Sequence, residues 1–198
     1  MAHVKYSNNN IFNIVFIYLL TNSNRAFGNI CGVPQSYLQS MAFLFGIVNA
    51  LTKFIWGYFM DKYNFKSLMY IVILLELFIS LTVFYSVNYP FLYLLENLLI
   101  ACCISGTFTM IIPLFNIVFG FKNGAKLYGI TGIMIGLASF LGPIMTKFII
   151  TDNSNKDIYE IIYLIGGIFV FVSLIVLWFF KEEKFKYSIN DNDYIKLD

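Results

Sequence analysis

Residues 49–66 have the sequence NALTKFIWGYFMDKYNFK and contain the end of one apolar segment, a short charged connection and the start of the next. The segment Tyr37–Phe59 precedes the connection, and Lys66–Val87 follows it. Both are long enough for a helix that crosses a bilayer, which needs about 20 apolar residues. Because Asp61–Phe65 can hold little more than a turn, the stretch predicts two neighbouring transmembrane helices of opposite direction.

Further apolar segments of similar length lie on both sides of this pair. The predicted spans are Ile11–Val33, Tyr37–Phe59, Lys66–Val87, Phe91–Phe119, Lys126–Ile150 and Tyr159–Phe180. The first span becomes polar at residues 21–25. It is therefore either a membrane helix interrupted near its middle or a cleaved signal peptide with Ile11–Leu20 as its apolar stretch. The fold class predicted is an all-α membrane protein with six transmembrane helices.

The distribution of basic residues predicts how these spans are oriented. One side of the predicted membrane carries nine of them: Lys5, Lys62, Lys66, Lys122, Lys126, Lys181, Lys184, Lys186 and Lys196. The other side carries three: Arg25, Lys147 and Lys156. Since basic loops stay in the cytoplasm, both termini are predicted to be cytoplasmic. The domains expected are an N-terminal tail over 1–10, a six-helix bundle over 11–180 and a C-terminal tail over 181–198.

Composition excludes several other classes of protein. Charged residues make up 12 % of the chain and apolar residues 59 %, whereas soluble domains contain about 25 % charged residues. The formal net charge is +2 and the basic residues are dispersed, so no nucleic-acid partner is expected. His3 is the only histidine, so a multi-histidine metal site is excluded, and we expect no cofactor. The predicted spans also lack paired aspartates and Ser/His pairs, so an enzyme is not predicted.

The stretch quoted first resembles the loop signature of the major facilitator superfamily, G-x-x-x-D-[RK]-x-G-[RK]-[RK]. The residues that match are Gly57, Asp61, Lys62 and Lys66, with Asn64 in place of the usual glycine and Phe65 in place of a basic residue. The resemblance implies that these four matching residues act as a latch between helices during alternating access. An ordinary charged turn is the alternative. It also implies that the chain corresponds to the C-terminal six-helix half of that fold.

The wider run N-A-L-x-K-x-x-W-G-x-x-x-D-K, which begins at Asn49, resembles the pattern N-x-x-G-R-x-x-W-G-x-x-x-D of the oxalate/formate antiporter and monocarboxylate-porter branch of this superfamily. Lys53 stands at the position of the arginine that binds the substrate carboxylate there. The fifth span resembles the same branch through its small residues and a proline. Four of these residues are predicted to pack against another helix: Gly132, Gly136, Gly142 and Pro143. Ile135 stands where oxalate-type members have a lysine, so the resemblance favours a monocarboxylate such as pyruvate or lactate.

Polar residues at membrane depth are the candidate site residues, because a charge there costs roughly 2.5–3.5 kcal/mol on insertion scales. Lys53 and Asn49, one helical turn apart, are predicted to bind the anion. The alternatives for Lys53 are a side chain that extends to the interface or a structural pair with Glu76. Arg25 either faces the cavity, as a third binding residue, or lies in an outer loop. Glu96 is the candidate for proton coupling, with a structurally satisfied acid as the alternative.

The function predicted is secondary active transport of a small organic anion by alternating access. Half of the fold cannot enclose a cavity, so the expected partners are the substrate, the bilayer, and either a missing N-terminal six-helix half or a second copy. The alternative is a non-transporting truncated fragment or a six-helix membrane interaction protein. Trp56, Tyr58 and Trp178 are expected to anchor helix ends at the membrane interface.

Overall fold

The computed structural model describes residues 20–21, 23–149, 156–179, 185–187 and 194–196. Residues 20–21 and 23–30 are helical, and we name these two stretches together α1. The remaining helices are α2 (Gln35–Lys62), α3 (Phe65–Ser86), α4 (Pro90–Ile149) and α5 (Lys156–Trp178). Two short strands follow, β1 (Phe185–Tyr187) and β2 (Tyr194–Lys196). In accordance with the predicted topology, the end of the bundle with the α1–α2 and α3–α4 connections is called the outer end, and the α2–α3 connection lies at the inner end.

Four helical segments of the described residues are long and apolar enough to cross a membrane. They are Gln35–Lys62, Phe65–Ser86, Pro90–Asn116 and Asp157–Trp178. These segments correspond to the second, third, fourth and sixth predicted spans and indicate an integral membrane protein. Residues 11–19 and 22 of the predicted first span lie outside the described residues, and the fifth span lies within α4. The count of six crossings therefore stays a prediction.

Helix α4 continues through the position of a predicted loop. A loop was expected at Phe121–Ala125, but the backbone is helical from Pro90 to Ile149. The helix is nevertheless not straight, because a Cβ built on Gly124 would lie 3.0 Å from the carbonyl carbon of Phe115. Residues nine apart in a straight helix are separated by about 13.5 Å, so the chain folds back between these two residues.

The predicted C-terminal tail contains a feature that the all-α fold class did not include. Strands β1 and β2 pair in antiparallel register, with Phe185 opposite Lys196 and Tyr187 opposite Tyr194. Phenylalanine, tyrosine and isoleucine are frequent in strands, and they make up four of the six residues in FKY and YIK. The fold is thus helical in its apolar part, with a pair of antiparallel strands after α5.

Helices α3 and α5 each expose one apolar stripe. On α3 the exposed large residues recur every three or four positions: Ile71, Leu74, Phe78, Leu81 and Tyr85. On α5 the corresponding stripe is Ile161, Leu164, Ile168, Phe171 and Ile175. The opposite sides of both helices are buried in the bundle. A helix in lipid has this arrangement, because the hydrocarbon is as apolar as the side chains that face it.

An aromatic cluster encloses α1 at the outer end of the bundle. The ring of Phe27 is fully buried and its centroid lies 5.3 Å from that of Tyr163 and 5.8 Å from that of Tyr159, both on α5. Phe84 of α3 and Tyr93 of α4 contact the same ring edge-on, at 6.4 and 6.5 Å between centroids. These contacts place α1 inside the bundle, between three other helices.

Candidate functional site

Helix α2 exposes two faces of different character. The apolar face consists of Phe43, Ile47, Leu51, Phe54 and Tyr58. The second face, which we name the polar face of α2, consists of small or polar residues that are exposed or half-buried: Gln35, Gln39, Ala42, Gly46, Asn49, Lys53 and Gly57. At 3.6 residues per turn, these positions lie within an arc of about 80°. Because a lysine and several amides are costly in contact with hydrocarbon, this face is suited to water or to another protein surface.

Lys53 and Asn49 lie next to each other in the inner half of the polar face. Lys53 is exposed and Asn49 is half-buried. Their spacing of one turn places both residues on the same side of α2. Lys53 precedes Lys62, at the end of α2, by about 13.5 Å along the helix. Lys53 forms no ion pair with any described residue, so the alternative of a structural pair with Glu76 is not seen in this structure.

The rotation of α2 is fixed by Trp56. Its side chain is only 8 % exposed, and the indole Nε1–H donates a hydrogen bond to the backbone oxygen of Cys102 on α4, at 2.9 Å. A Cβ on Gly106 would lie 2.7 Å from the indole ring, so glycine at this position lets the ring approach α4. The prediction that Trp56 anchors a helix end at the interface was wrong, because this residue is a helix-packing group. Its contact turns Lys53 away from the α2–α4 interface.

Arg25 lies on the exposed side of α1, far from Lys53. The side of α1 that faces the bundle carries Leu20, Asn24 and Phe27, which are at most 2 % exposed. Arg25 precedes the end of α1 by about 7.5 Å, whereas Lys53 follows the start of α2 by about 27 Å. The two helices run in opposite directions, since Leu38 in the first turn of α2 contacts Gly28 of α1. The two cations are thus separated by roughly 20 Å along the bundle, and the structure does not bring Arg25 into the Lys53 site.

Asn24 joins α1 to two other helices through a buried hydrogen-bond network. Its side-chain Nδ2 donates to Oδ1 of Asn97 on α4, at 2.5 Å, and its Oδ1 accepts from the hydroxyl of Tyr163 on α5, also at 2.5 Å. The hydroxyl of Tyr93 donates to the backbone oxygen of Asn24, at 2.6 Å. The sequence analysis missed this network. Its signal was the presence of amides, Asn24 and Asn97, within predicted apolar spans.

Glu96 is buried near the outer end of α4, and its carboxylate connects α4 to α3. Its side chain is 6 % exposed, and the two carboxylate oxygens accept hydrogen bonds from the hydroxyls of Thr82 and Ser86. This geometry corresponds to the satisfied acid that was the alternative to proton coupling, and it leaves the coupling role as a prediction. Glu76 is also buried, at 1 % exposed, on the opposite side of α3 from its lipid-facing stripe.

The four predicted latch residues have different surroundings at the inner end. Lys66 donates a hydrogen bond to the backbone oxygen of Trp178, at 3.1 Å, and so connects the start of α3 to the end of α5. Lys62 contacts the ring of Tyr58 on its own helix, with 4.3 Å between its Nζ and the ring centroid. Asp61 is exposed. A Cβ added to Gly57 would meet no atom within 4 Å, so no described helix approaches it closely.

Two of the four small residues predicted to pack against another helix, Gly132 and Gly136, have no close neighbour within the described chain. A Cβ added to Gly132 or Gly136 would find no atom within 4 Å. Gly142 and Pro143 lie within α4, and their side-chain surroundings are outside the described part of the structure.

A groove of about 400 Å³ lies between α2 and α4 at the outer end. It contains none of the predicted site residues and is lined by Ser36, Tyr37, Ser40, Leu44, Phe91 and Leu94.

No three His, Cys, Asp or Glu side chains among the described residues lie close enough together to hold a metal ion. The absence of a cofactor therefore stays a prediction.

The sequence model of the Major Facilitator Superfamily matches residues 4–193, nearly the whole chain. No curated protein matches the chain closely enough to count as a relative.

Proposed function

The chain belongs to the Major Facilitator Superfamily, and from this premise we propose that it transports a small organic monocarboxylate held at Lys53. Members of this superfamily are secondary transporters and not enzymes, which assigns the chain to membrane transport in general. The substrate class, the site and the coupling described below are the proposal.

The observation that carries the proposal is the position of Lys53 on the polar face of α2. The cation is exposed and has no acidic partner among the described residues, yet it lies well inside a membrane-spanning helix. A charged side chain at this depth is expected to face a water-filled cavity or a ligand. The carboxylate of a small anion would supply the missing counter-charge, and Asn49 would donate a second hydrogen bond to it.

The number of cations near Lys53 favours a single carboxylate. Arg25 is roughly 20 Å away along the bundle, and Ile135 stands where the oxalate-type pattern has a lysine. A dicarboxylate would leave one of its charges without a partner, which is costly in a partly desolvated site. Pyruvate, lactate and formate are therefore the substrates to test first.

Transport requires a second helical unit that closes the cavity over Lys53. The polar face of α2 is exposed or half-buried from Gln39 to Gly57, and the open glycines Gly57, Gly132 and Gly136 have no close neighbour within the described chain. Small residues of this kind allow the close approach of another membrane helix. We propose that a separate N-terminal six-helix half or a second copy of this chain occupies this side, and that rocking of the two units alternates access to the site.

The test is uptake of labelled pyruvate, lactate and formate into vesicles that contain the reconstituted protein. We expect Lys53→Ala to abolish uptake and Lys53→Arg to retain part of it, since arginine keeps the charge. Lys126→Ala is the matched control, because Lys126 is an exposed lysine outside the site. Uptake that is unchanged in Lys53→Ala would remove Lys53 from the mechanism.

A non-transporting interaction protein is the alternative, and the same vesicles distinguish it. If the chain alone shows no uptake of any tested anion, the experiment is repeated with co-expressed six-helix proteins from the same genome. Absence of uptake in every combination, with the protein shown to be folded, would favour the alternative.

A further inference from the structure

We infer that α1 carries a second, outer station for the transported anion, centred on Arg25 and lined by Thr21 and Asn29. This inference deepens the proposed function and rests on it. It assigns Arg25 to the access route of the substrate and not to the Lys53 site.

The first observation is the periodicity of exposure on α1. The exposed residues Thr21, Arg25 and Asn29 recur every four positions, and all three are polar. We name them the polar stripe of α1. The exposed stripes of α3 and α5, by contrast, consist of large apolar residues such as Phe78, Leu81 and Ile168. Two kinds of exposed surface in one bundle indicate two kinds of surroundings, lipid for the apolar stripes and water for the polar one.

The second observation is that contacts on the buried side of α1 fix its rotation, and with it the direction in which the polar stripe faces. Asn24 on the buried side is held by Asn97 and Tyr163 through side-chain hydrogen bonds. Gly28 lies against α2 and α4, since a Cβ there would be 2.8 Å from Leu38 and 3.0 Å from Tyr93. These contacts fix the rotation of the helix and leave Arg25 on the open side.

The third observation is that the polar stripe of α1 is continuous with the polar face of α2. The side-chain Nε2 of Gln35, the first residue of α2, donates a hydrogen bond to Oδ1 of Asn29, at 2.7 Å. A surface of polar and small residues therefore extends from Arg25, through this contact, along α2 to Lys53. An anion that enters at the outer end meets one exposed cation at each end of this surface. Charges of one sign in a cleft raise the local concentration of the opposite ion.

The structural part of the inference is tested by thiol labelling of unsealed membrane fragments, in which the reagent reaches both faces of the membrane. Thr21→Cys, Arg25→Cys and Asn29→Cys are treated with a water-soluble thiol reagent, with the wild-type protein as the background for native cysteines. We expect all three to be labelled. Ser23→Cys is the buried control on the same helix, and Leu81→Cys is the lipid-facing control; both should stay unlabelled. Labelling of position 29 alone would overturn the inference, because the stripe would then be only a surface loop.

The electrostatic part is tested with two thiol reagents of similar size, one a sulfonate and one a trimethylammonium. With Arg25 present, Thr21→Cys should react faster with the anionic reagent. Adding Arg25→Gln should reduce the ratio of the two rates on the order of tenfold, and high salt should have the same effect. A ratio that does not depend on Arg25 or on salt would contradict the inference.

The uptake assay separates this inference from the proposed function. Arg25→Gln should raise the KM for the anion on the order of tenfold at low salt and leave kcat nearly unchanged, because Arg25 collects the substrate and does not hold it during transport. If Lys53→Ala has no effect while the polar stripe is labelled, the proposed site fails and the water-lined surface stands. If the stripe is not labelled while Lys53→Ala abolishes uptake, only the outer station fails.

Discussion

The indole nitrogen of Trp56 and the backbone oxygen of Cys102 are joined by a hydrogen bond of 2.9 Å, in a contact that the missing side chain of Gly106 makes possible. This contact fixes α2 against α4. It also decides which of the two exposed faces of α2 meets lipid and which one presents Lys53.

A side chain at Gly106 should therefore destabilise the bundle. In Gly106→Ala the new methyl group would lie 2.7 Å from the indole ring, and overpacking of this kind costs about 1–3 kcal/mol. We expect a lower midpoint of thermal unfolding in detergent. Gly129→Ala is the matched control, since a Cβ there meets no atom within 4 Å. Equal stability of both variants would contradict the close α2–α4 contact.

The network around Asn24 predicts a second effect on stability. Asn24→Ala removes the acceptor of the Tyr163 hydroxyl and the donor to Oδ1 of Asn97 in a buried environment, while Nδ2 of Asn97 keeps its bond to the backbone oxygen of Tyr93. Each unsatisfied buried group costs about 1–3 kcal/mol, so unfolding should occur at a clearly lower temperature. Asn88→Ala, at an exposed position in the α3–α4 connection, should have little effect. A small effect of both substitutions would show that α1 is not held by this network.

Glu96 provides a test of proton coupling. If this buried acid carries the coupled proton, Glu96→Gln should abolish uptake driven by a pH gradient and spare exchange of labelled for unlabelled substrate. The amide retains an oxygen that can accept a hydrogen bond from Thr82 or Ser86, so the fold should persist. Glu160→Gln, on α5, is the control. Uptake that still responds to the pH gradient in Glu96→Gln would limit Glu96 to connecting α3 and α4.

Lys66 is the latch residue whose contact extends to another helix. Its hydrogen bond to the oxygen of Trp178 places a positive charge at the C-terminal end of α5, where it is worth about 0.3–1 kcal/mol. Lys66→Met should slow uptake and lower stability slightly. Lys62→Met should affect stability less, because the contact that Lys62 makes among the described residues is with Tyr58 of its own helix. Indistinguishable variants would argue against a latch between α3 and α5.

The sequence was sufficient for the elements whose signal is local. The helices α2, α3 and α5 begin and end within a few residues of the predicted spans, because apolar length and short charged connections are properties of the sequence itself. Helix α4 was harder to predict, since the bend between Phe115 and Gly124 depends on backbone packing at Gly124.

In the candidate site, too, the features with a local sequence signal could be predicted and those that depend on tertiary packing could not. Asn49 and Lys53 could be paired from their spacing on one helix. The role of Trp56 could not be predicted, because its partners Cys102 and Gly106 lie more than forty positions away along the chain. The separation of Arg25 from Lys53 likewise depends on the direction of α1 relative to α2, which only the tertiary structure shows.

The most direct test of the central claim is equilibrium binding of a labelled monocarboxylate to the purified protein. A charge-assisted hydrogen bond contributes about 1.5–3 kcal/mol, so Lys53→Met should weaken binding roughly 10- to 150-fold. Lys126→Met should bind as the wild type does. A dissociation constant in Lys53→Met that equals that of the wild type would contradict the claim that this lysine holds the anion.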